Sequence, residues 1–338
     1  MLLLDTIRPR RPGHLHDTAS RAITTKRSLV YRPNMCRALA YLGKPVALES
    51  LIFAPDSSLV RQTYAPRMLG KPSLAGFGMA AWDETSFRPN EPFVYRTTTL
   101  PSFDPNLHHL TAKLRPSSLI AHVRGVPLVG SPAVGPQNLH PFRYPDFSLA
   151  MAHNGDLARF DEMKFDLLEY VKPEIAGAIR GTTDSEWIYA LLMSQLEDPT
   201  ADQDASSIQK AVEITLSLLR DARTRRGIEA SSSVNLFLCD GNDLFATRFA
   251  FDYGRNLDQL PYPDPEFLSL WYTIGNDYGR HDEEWKMIGG SEASTSAIVA
   301  SEPLTSDVST WVEVPEYSML SASLDGDRMR VEVIELDA

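Results

Sequence analysis

Only two of the 338 residues are cysteine, Cys36 and Cys239. Two thiols cannot build a disulfide framework or a four-thiolate zinc site. No stretch approaches the roughly 18 consecutive apolar residues of a transmembrane helix, so no membrane partner is expected. The apolar opening "MLLL" is too short for the core of a secretory signal. Isolated thiols without such a signal fit a reducing compartment, which points to the cytoplasm. Basic residues are the minority: 33 Lys and Arg against 44 Asp and Glu give a net charge of −11. That disfavours nucleic acid as a partner, because phosphate neutralisation needs clustered cations. "GFGMAAW" has neither a P-loop nor a full GxGxxG pattern, so it gives a nucleotide site little support. No internal repeat is visible.

What is present suits a soluble globular protein. The chain is 43% hydrophobic and 23% charged, enough for a substantial core. The first 34 residues differ from the rest: they carry a net charge of +5, leaving −16 for the remainder. With little periodicity and several turn formers, residues 1–35 read as a disordered basic leader. It is a misassigned start at Met1, a removable presequence, or a binding arm, and the first is preferred.

From Cys36 the pattern becomes regular. "CRALAYLG", "LAGFGMAAW", "PFVYRTTTL", "SSLIAHVRG" and "FSLAMAHNG" read as strands. Helices follow. "RFDEMKFDLLEYV" has apolar residues at three- and four-residue steps. "GTTDSEWIYALLMSQLED" opens on a capping box, Thr183 and Glu186, and shows one apolar face from Trp187 to Leu196. "SSIQKAVEITLSLLRDA" places Ile208, Val212, Leu216 and Leu219 on one stripe. Strands then return, from "VNLFLCD", which makes Cys239 a core residue, to "MRVEVIE". Strands, helices, then strands without βαβ alternation predict an α+β, layered architecture. Residues 125–142 read as a surface loop with functional potential.

Four pieces carry chemistry. A thiol is mostly protonated at pH 7, whereas an α-amine is a serviceable base there. Cys36, if N-terminal, would hold nucleophile and base in one residue; inside a longer chain its nitrogen is an amide and the base is lost. "AHNGD" offers the Asn154 amide and the Gly155 N–H as donors for an oxyanion. Arg124, two residues after His122, suits a bidentate grip on a carboxylate. Asp184, in the first turn of the strongest helix, could receive an ammonium. Each alone is more often structural: a core cysteine, a plain turn, an ion pair, a partner of the helix dipole. Together they describe a site for an α-amino acid held by its two charged ends while Cys36 attacks a side-chain carbonyl. Glutamine or a γ-glutamyl amide fits.

The ordered set "MCR", "GFG", "AHVR", "NLHPF", "AHNG" and "TTDSE" resembles class II glutamine amidotransferases of the N-terminal nucleophile (Ntn) hydrolase superfamily. It is nearest to a stand-alone subgroup containing the amidotransferase subunit of the fungal glutathione-degrading complex and the γ-glutamyl hydrolase of ergothioneine biosynthesis. The resemblance implies a four-layer αββα sandwich across residues 36–338. It also implies Cys36 as nucleophile, Asn154 and Gly155 as oxyanion hole, Arg124 and Asp184 as substrate-binding residues, and no metal or organic cofactor. Two features depart from the pattern: "GVPLVG" replaces a Thr- or Ser-containing stretch after the arginine, and a leader precedes Met-Cys.

The expected function is hydrolysis of the γ-amide of glutamine or a γ-glutamyl compound through a Cys36 thioester. Two alternatives stand beside it. One is a glutaminase subunit supplying ammonia to a separate synthase, a partner polypeptide. The other is a silent regulatory or assembly subunit, favoured if residues 1–35 are retained. Loops 60–74 and 125–142 are expected to shape the leaving-group pocket.

Overall fold

The structure, a computed structural model, describes residues 36–68, 72–125, 134–252, 268–290 and 294–338. The expectation for the leader 1–35 lies outside these residues. The strands, in chain order, are β1 (Arg37–Gly43), β2 (Phe77–Trp82), β3 (Phe93–Thr97), β4 (Ser118–Val123), β5 (Ala150–Asp156), β6 (Ser232–Cys239), β7 (Asp243–Arg248) and β8 (Ala250–Phe251). They continue with β9 (Trp271–Gly275), β10 (Asp277–His281), β11 (Glu284–Ile288), β12 (Ser296–Ala300), β13 (Val312–Glu313), β14 (Ser318–Asp325) and β15 (Arg328–Glu335). The α-helices are α1 (Glu49–Ile52), α2 (Pro105–Thr111), α3 (Phe160–Met163), α4 (Pro173–Ala176), α5 (Asp184–Gln195) and α6 (Ala205–Arg225).

Two antiparallel sheets organise these elements. Sheet 1 has the order β13-β9-β12-β1-β4-β2-β3; sheet 2 has β15-β14-β7-β6-β5, with β8 beside β6. The period-two alternation of β1 shows how they stack. Leu39 and Tyr41 enter the core on the outer side of sheet 1. Ala38, Ala40 and Leu42 enter the core shared with Ala150 and Ala152 of β5. Among the described residues, eight of the nineteen buried apolar residues in that central layer are alanine. The outer face of sheet 2 packs on α5 and α6, where Ile208, Val212, Leu216 and Leu219 form the expected stripe. Each such burial stabilises by about 1.5–3 kcal/mol. The result is the αββα sandwich; among the described residues, the outer layer over sheet 1 is made of short pieces, α1, α2 and the β10–β11 hairpin.

Some local expectations need correction. "RFDEMKFDLLEYV" is not one helix: α3 passes into a 3-10 helix at Lys164–Tyr170. Helix α5 is buried nearly all round, with Tyr189, Ala190 and Met193 inside, so it has no single apolar face. It lies between sheet 2 and its helical neighbours, which leaves no solvent side. The loop 125–142 is partly interior: Asn138, Leu139, His140 and Phe142 are buried. The β10–β11 hairpin and α2 carry too weak a periodicity to be seen in the sequence.

Candidate active site

Strand register brings the first two residues together. Arg37 of β1 stands opposite Val123 of β4, so Cys36 and Arg124, just beyond each, emerge side by side at one end of sheet 1. Cys36 is buried, and its Sγ accepts from Gly125 N at 3.4 Å. Burial pushes the thiol above its ordinary value; the Gly125 N–H and the Arg124 charge pull it back, and Asp184 pushes it up. Behind it, Arg37 Nη1 donates to the Cys36 carbonyl at 2.9 Å and Arg37 Nε to Glu302 Oε1 at 2.6 Å. Glu302 Oε2 accepts from Arg67 N and Met68 N, both at 3.1 Å. The Cys36 backbone is thus anchored by a buried ion pair whose acid also ties down a neighbouring loop.

The second sheet contributes Asn154 and Gly155 at the end of β5. Asn154 Nδ2 donates to Ser301 Oγ at 2.8 Å, and the same oxygen accepts from Ala38 N at 3.0 Å. Asn154 is therefore stapled across the central layer to the residue two places after Cys36. A carboxamide nitrogen has two hydrogens; one is committed to Ser301 and the second is spare for an oxyanion. Gly155 has φ +155°, and an added Cβ would lie 1.9 Å from Ser233 O and 2.7 Å from His153 Nε2. Only glycine fits there.

The expected turn at "HNG" is instead strand: His153, Asn154 and Gly155 pair with Leu236, Asn235 and Val234 of β6, and His153 ties this end of β5 to the helical layer. Its Nε2 lies 3.1 Å from Ser233 O and its Nδ1 3.0 Å from Ser185 Oγ. A carbonyl can only accept, so Nε2 carries the hydrogen and Nδ1 receives the serine hydroxyl. Burial holds the ring below its ordinary value, so it is neutral. Asp184, half-buried at the first position of α5, accepts from Leu157 N at 2.7 Å through Oδ2 and from Ser185 N at 2.8 Å through Oδ1. Its charge reaches both Cys36 and Arg124. Burial lowers the Arg124 guanidinium, while Cys36 and Asp184 hold it up.

The structure thus brings Cys36, Arg124, Asn154, Gly155 and Asp184 to one region, from two sheets and one helix. The capping box takes an altered form. Thr183 Oγ1 accepts from Glu186 N at 3.4 Å, but the Glu186 carboxylate turns to Arg180 N (2.9 Å) and Gly181 N (2.5 Å). Sequence reasoning missed Ser301, Glu302 and Asn138. A Ser-Glu pair directly after the buried run "SAIVA" was a usable signal; Asn138 opens "NLHPF", one of the pieces that carry the resemblance, but no chemistry was read from it.

His122 and His140 pack ring on ring, with centroids 4.0 Å apart, and both are buried. Burial, then the charge of Arg124, pushes His122 down to about 3. Among the described residues, no group of three or more His, Cys, Asp or Glu is placed to hold a metal ion. Among them too, no helix is long and apolar enough to cross a membrane. A cleft of about 530 Å³, lined by Phe53, Asp56, Arg61, His108, Arg280 and Trp285, includes none of the five residues.

Comparison with known proteins gives the same direction. A probable glutamine amidotransferase, DUG3, of Saccharomyces cerevisiae is 28% identical over 305 residues, covering 85% of this chain and 81% of that one. The gamma-glutamyl-hercynylcysteine sulfoxide hydrolase of Mycolicibacterium smegmatis is 25% identical over 237 residues, 70% of this chain and 86% of the other. Among solved structures, a glutamine aminotransferase class-II domain protein from Silicibacter pomeroyi shares the fold, with a TM-score of 0.54 at 19% identity over 89% of this chain and all of that one. Residues 62–335 match the family described as glutamine amidotransferases class-II. This chain belongs to the class II glutamine amidotransferases, enzymes built on the Ntn-type αββα fold.

Proposed function

We propose that the protein hydrolyses the γ-amide of glutamine or of a γ-glutamyl compound, with Cys36 as nucleophile. Arg124 binds the α-carboxylate and Asp184 the α-ammonium. The Cys36 thiol gives its proton to its own free α-amine, and the sulfur attacks the γ-carbonyl carbon. The oxyanion that forms accepts from the second Asn154 Nδ2 hydrogen and from Gly155 N–H. The C–N bond then breaks, and the departing nitrogen takes the proton from the amine. Water attacks the resulting γ-glutamyl thioester and passes a proton to the same amine. The thiol leaves with that proton as glutamate is released.

One observation carries this reading. Register places Cys36 beside Arg124 on sheet 1, while the Asn154–Ser301–Ala38 link holds the oxyanion donor of sheet 2 at the same place. The reading requires that Cys36 be the terminal residue of the working protein. N-terminal sequencing of an active preparation will begin at cysteine, and Cys36→Ser will lose at least about 10³ in kcat for glutamine hydrolysis. Full hydrolysis by Cys36→Ser, or by a chain that retains Met35, defeats the mechanism. Glutamate release from glutamine and from γ-glutamyl peptides, measured side by side, assigns the leaving group. Two buried free thiols, Cys36 and Cys239, fit the reducing cytoplasm, which cell fractionation will check.

A further inference from the structure

We propose that Asn138 is a positioning residue: it fixes the spacing between Arg124 and Asp184, and so selects ligands that carry both an α-carboxylate and an α-ammonium. This rests on the reading of those two residues given above.

Asn138 ends the 3-10 turn Pro136–Asn138 and is fully buried. Its backbone and its side chain serve opposite ends of the site. The carbonyl oxygen accepts from Arg124 Nη1. The side chain faces the segment that leads into α5: Oδ1 accepts from Thr182 N at 2.8 Å, and Nδ2 donates to Thr182 Oγ1 at 3.1 Å. Thr183 caps the helix and Asp184 is its first residue. One rigid amino acid therefore bridges the cationic grip and the anionic grip. The fit is close, because a Cβ on Gly181 would lie 2.4 Å from Asn138 Oδ1.

A carboxamide suits this position because it offers an acceptor and a donor in one plane. Alanine would leave Thr182 N without that acceptor, and the helix start could drift from the arginine. A ligand bearing both charges needs the two grips at a fixed separation. A ligand bearing one of them does not.

Binding of L-glutamate, glutarate and 4-aminobutyrate by calorimetry tests this. Glutarate lacks the ammonium and 4-aminobutyrate lacks the α-carboxylate. Asn138→Ala will weaken L-glutamate at least tenfold and each one-ended ligand less than threefold. In turnover, KM for glutamine will rise at least tenfold while kcat stays within threefold. Thr182→Val removes the Nδ2 acceptor but keeps the backbone bond, and it will shift L-glutamate selectively by two- to fivefold. It gives the same readout if Asn138→Ala does not fold. Equal weakening of all three ligands, or a loss confined to kcat, overturns the proposal. Arg124→Lys and Asp184→Asn serve as controls. If they weaken L-glutamate and Asn138→Ala does not, the positioning role alone fails. If neither control changes binding, the substrate-binding reading falls and takes this proposal with it.

Discussion

At the scale of single residues, Cys36 and Asn154, the proposed nucleophile and oxyanion donor, sit in unlike surroundings. Cys36 is held by backbone and a buried ion pair. Asn154 depends on one side-chain staple to Ser301. Asn154→Ala will lower kcat by roughly 10²–10³, the usual loss for one oxyanion donor, and leave KM within a few-fold. Steady-state kinetics with glutamine will show the split. A KM effect that exceeds the kcat effect would place Asn154 in substrate binding instead. The five candidate residues were legible because each belongs to a short motif with a chemical reason for its residue types. Asn138 heads the quoted "NLHPF", yet its contacts were not legible: one of them is made by a backbone carbonyl, and a carbonyl leaves no mark in sequence. Ser301 and Glu302 stood in plain view, yet their importance comes from strand register across 265 residues between Arg37 and Glu302, which spacing cannot reveal.

At the scale of elements, the start of α5 concentrates much of the local design. Thr183 caps it, Asp184 faces the site, Ser185 holds His153, and Glu186 binds two backbone N–H groups of the preceding turn. Thr183→Ala will cost about 1 kcal/mol of stability, the typical value of an N-cap. Denaturant titration will measure it. Its 3.4 Å bond to Glu186 N points to the lower part of the range. The capping-box signature located this helix start correctly. It misdirected the glutamate, whose carboxylate accepts from Arg180 N and Gly181 N of the preceding turn. The α6 stripe was read correctly because that helix has a solvent side. The α5 stripe was blurred because burial all round removes the polar face that gives periodicity its contrast.

At the scale of the molecule, His122, His140 and His153 are buried and neutral, each held below its ordinary value by burial. For His122 the values are 6.5 ordinarily and about 3 when folded. Between them the unfolded chain binds a proton that the folded chain refuses. The stability that His122 contributes is therefore complete above pH 6.5 and is lost as pH drops toward 3, by up to about 1.4 kcal/mol per pH unit for such a group. Asp156, raised by burial, and Asp243, raised by burial to about 6, contribute the opposite slope. The histidine share is thus read by difference: urea midpoints at several pH values will fall less steeply for His122→Gln than for the unaltered protein. Parallel curves would exclude His122 from acid sensitivity. The layered class was visible in the order of strands and helices. The thinness of the layer over sheet 1 was not, since it comes from short segments whose only shared feature is the face they cover.

The alanine-rich seam between the sheets carries one more consequence. Cys36 and Asn154, the proposed nucleophile and oxyanion donor, ride on opposite walls of that seam, next to Ala38 and Ala152, so the thickness of the seam there sets their separation. A wedge as small as two carbons at Ala38 or Ala152 would enter a gap with no spare room. The outer cores can take up added bulk by shifting a helix. Here the same bulk would move the two halves of the reaction apart, so chemistry would suffer well before the chain lost its shape.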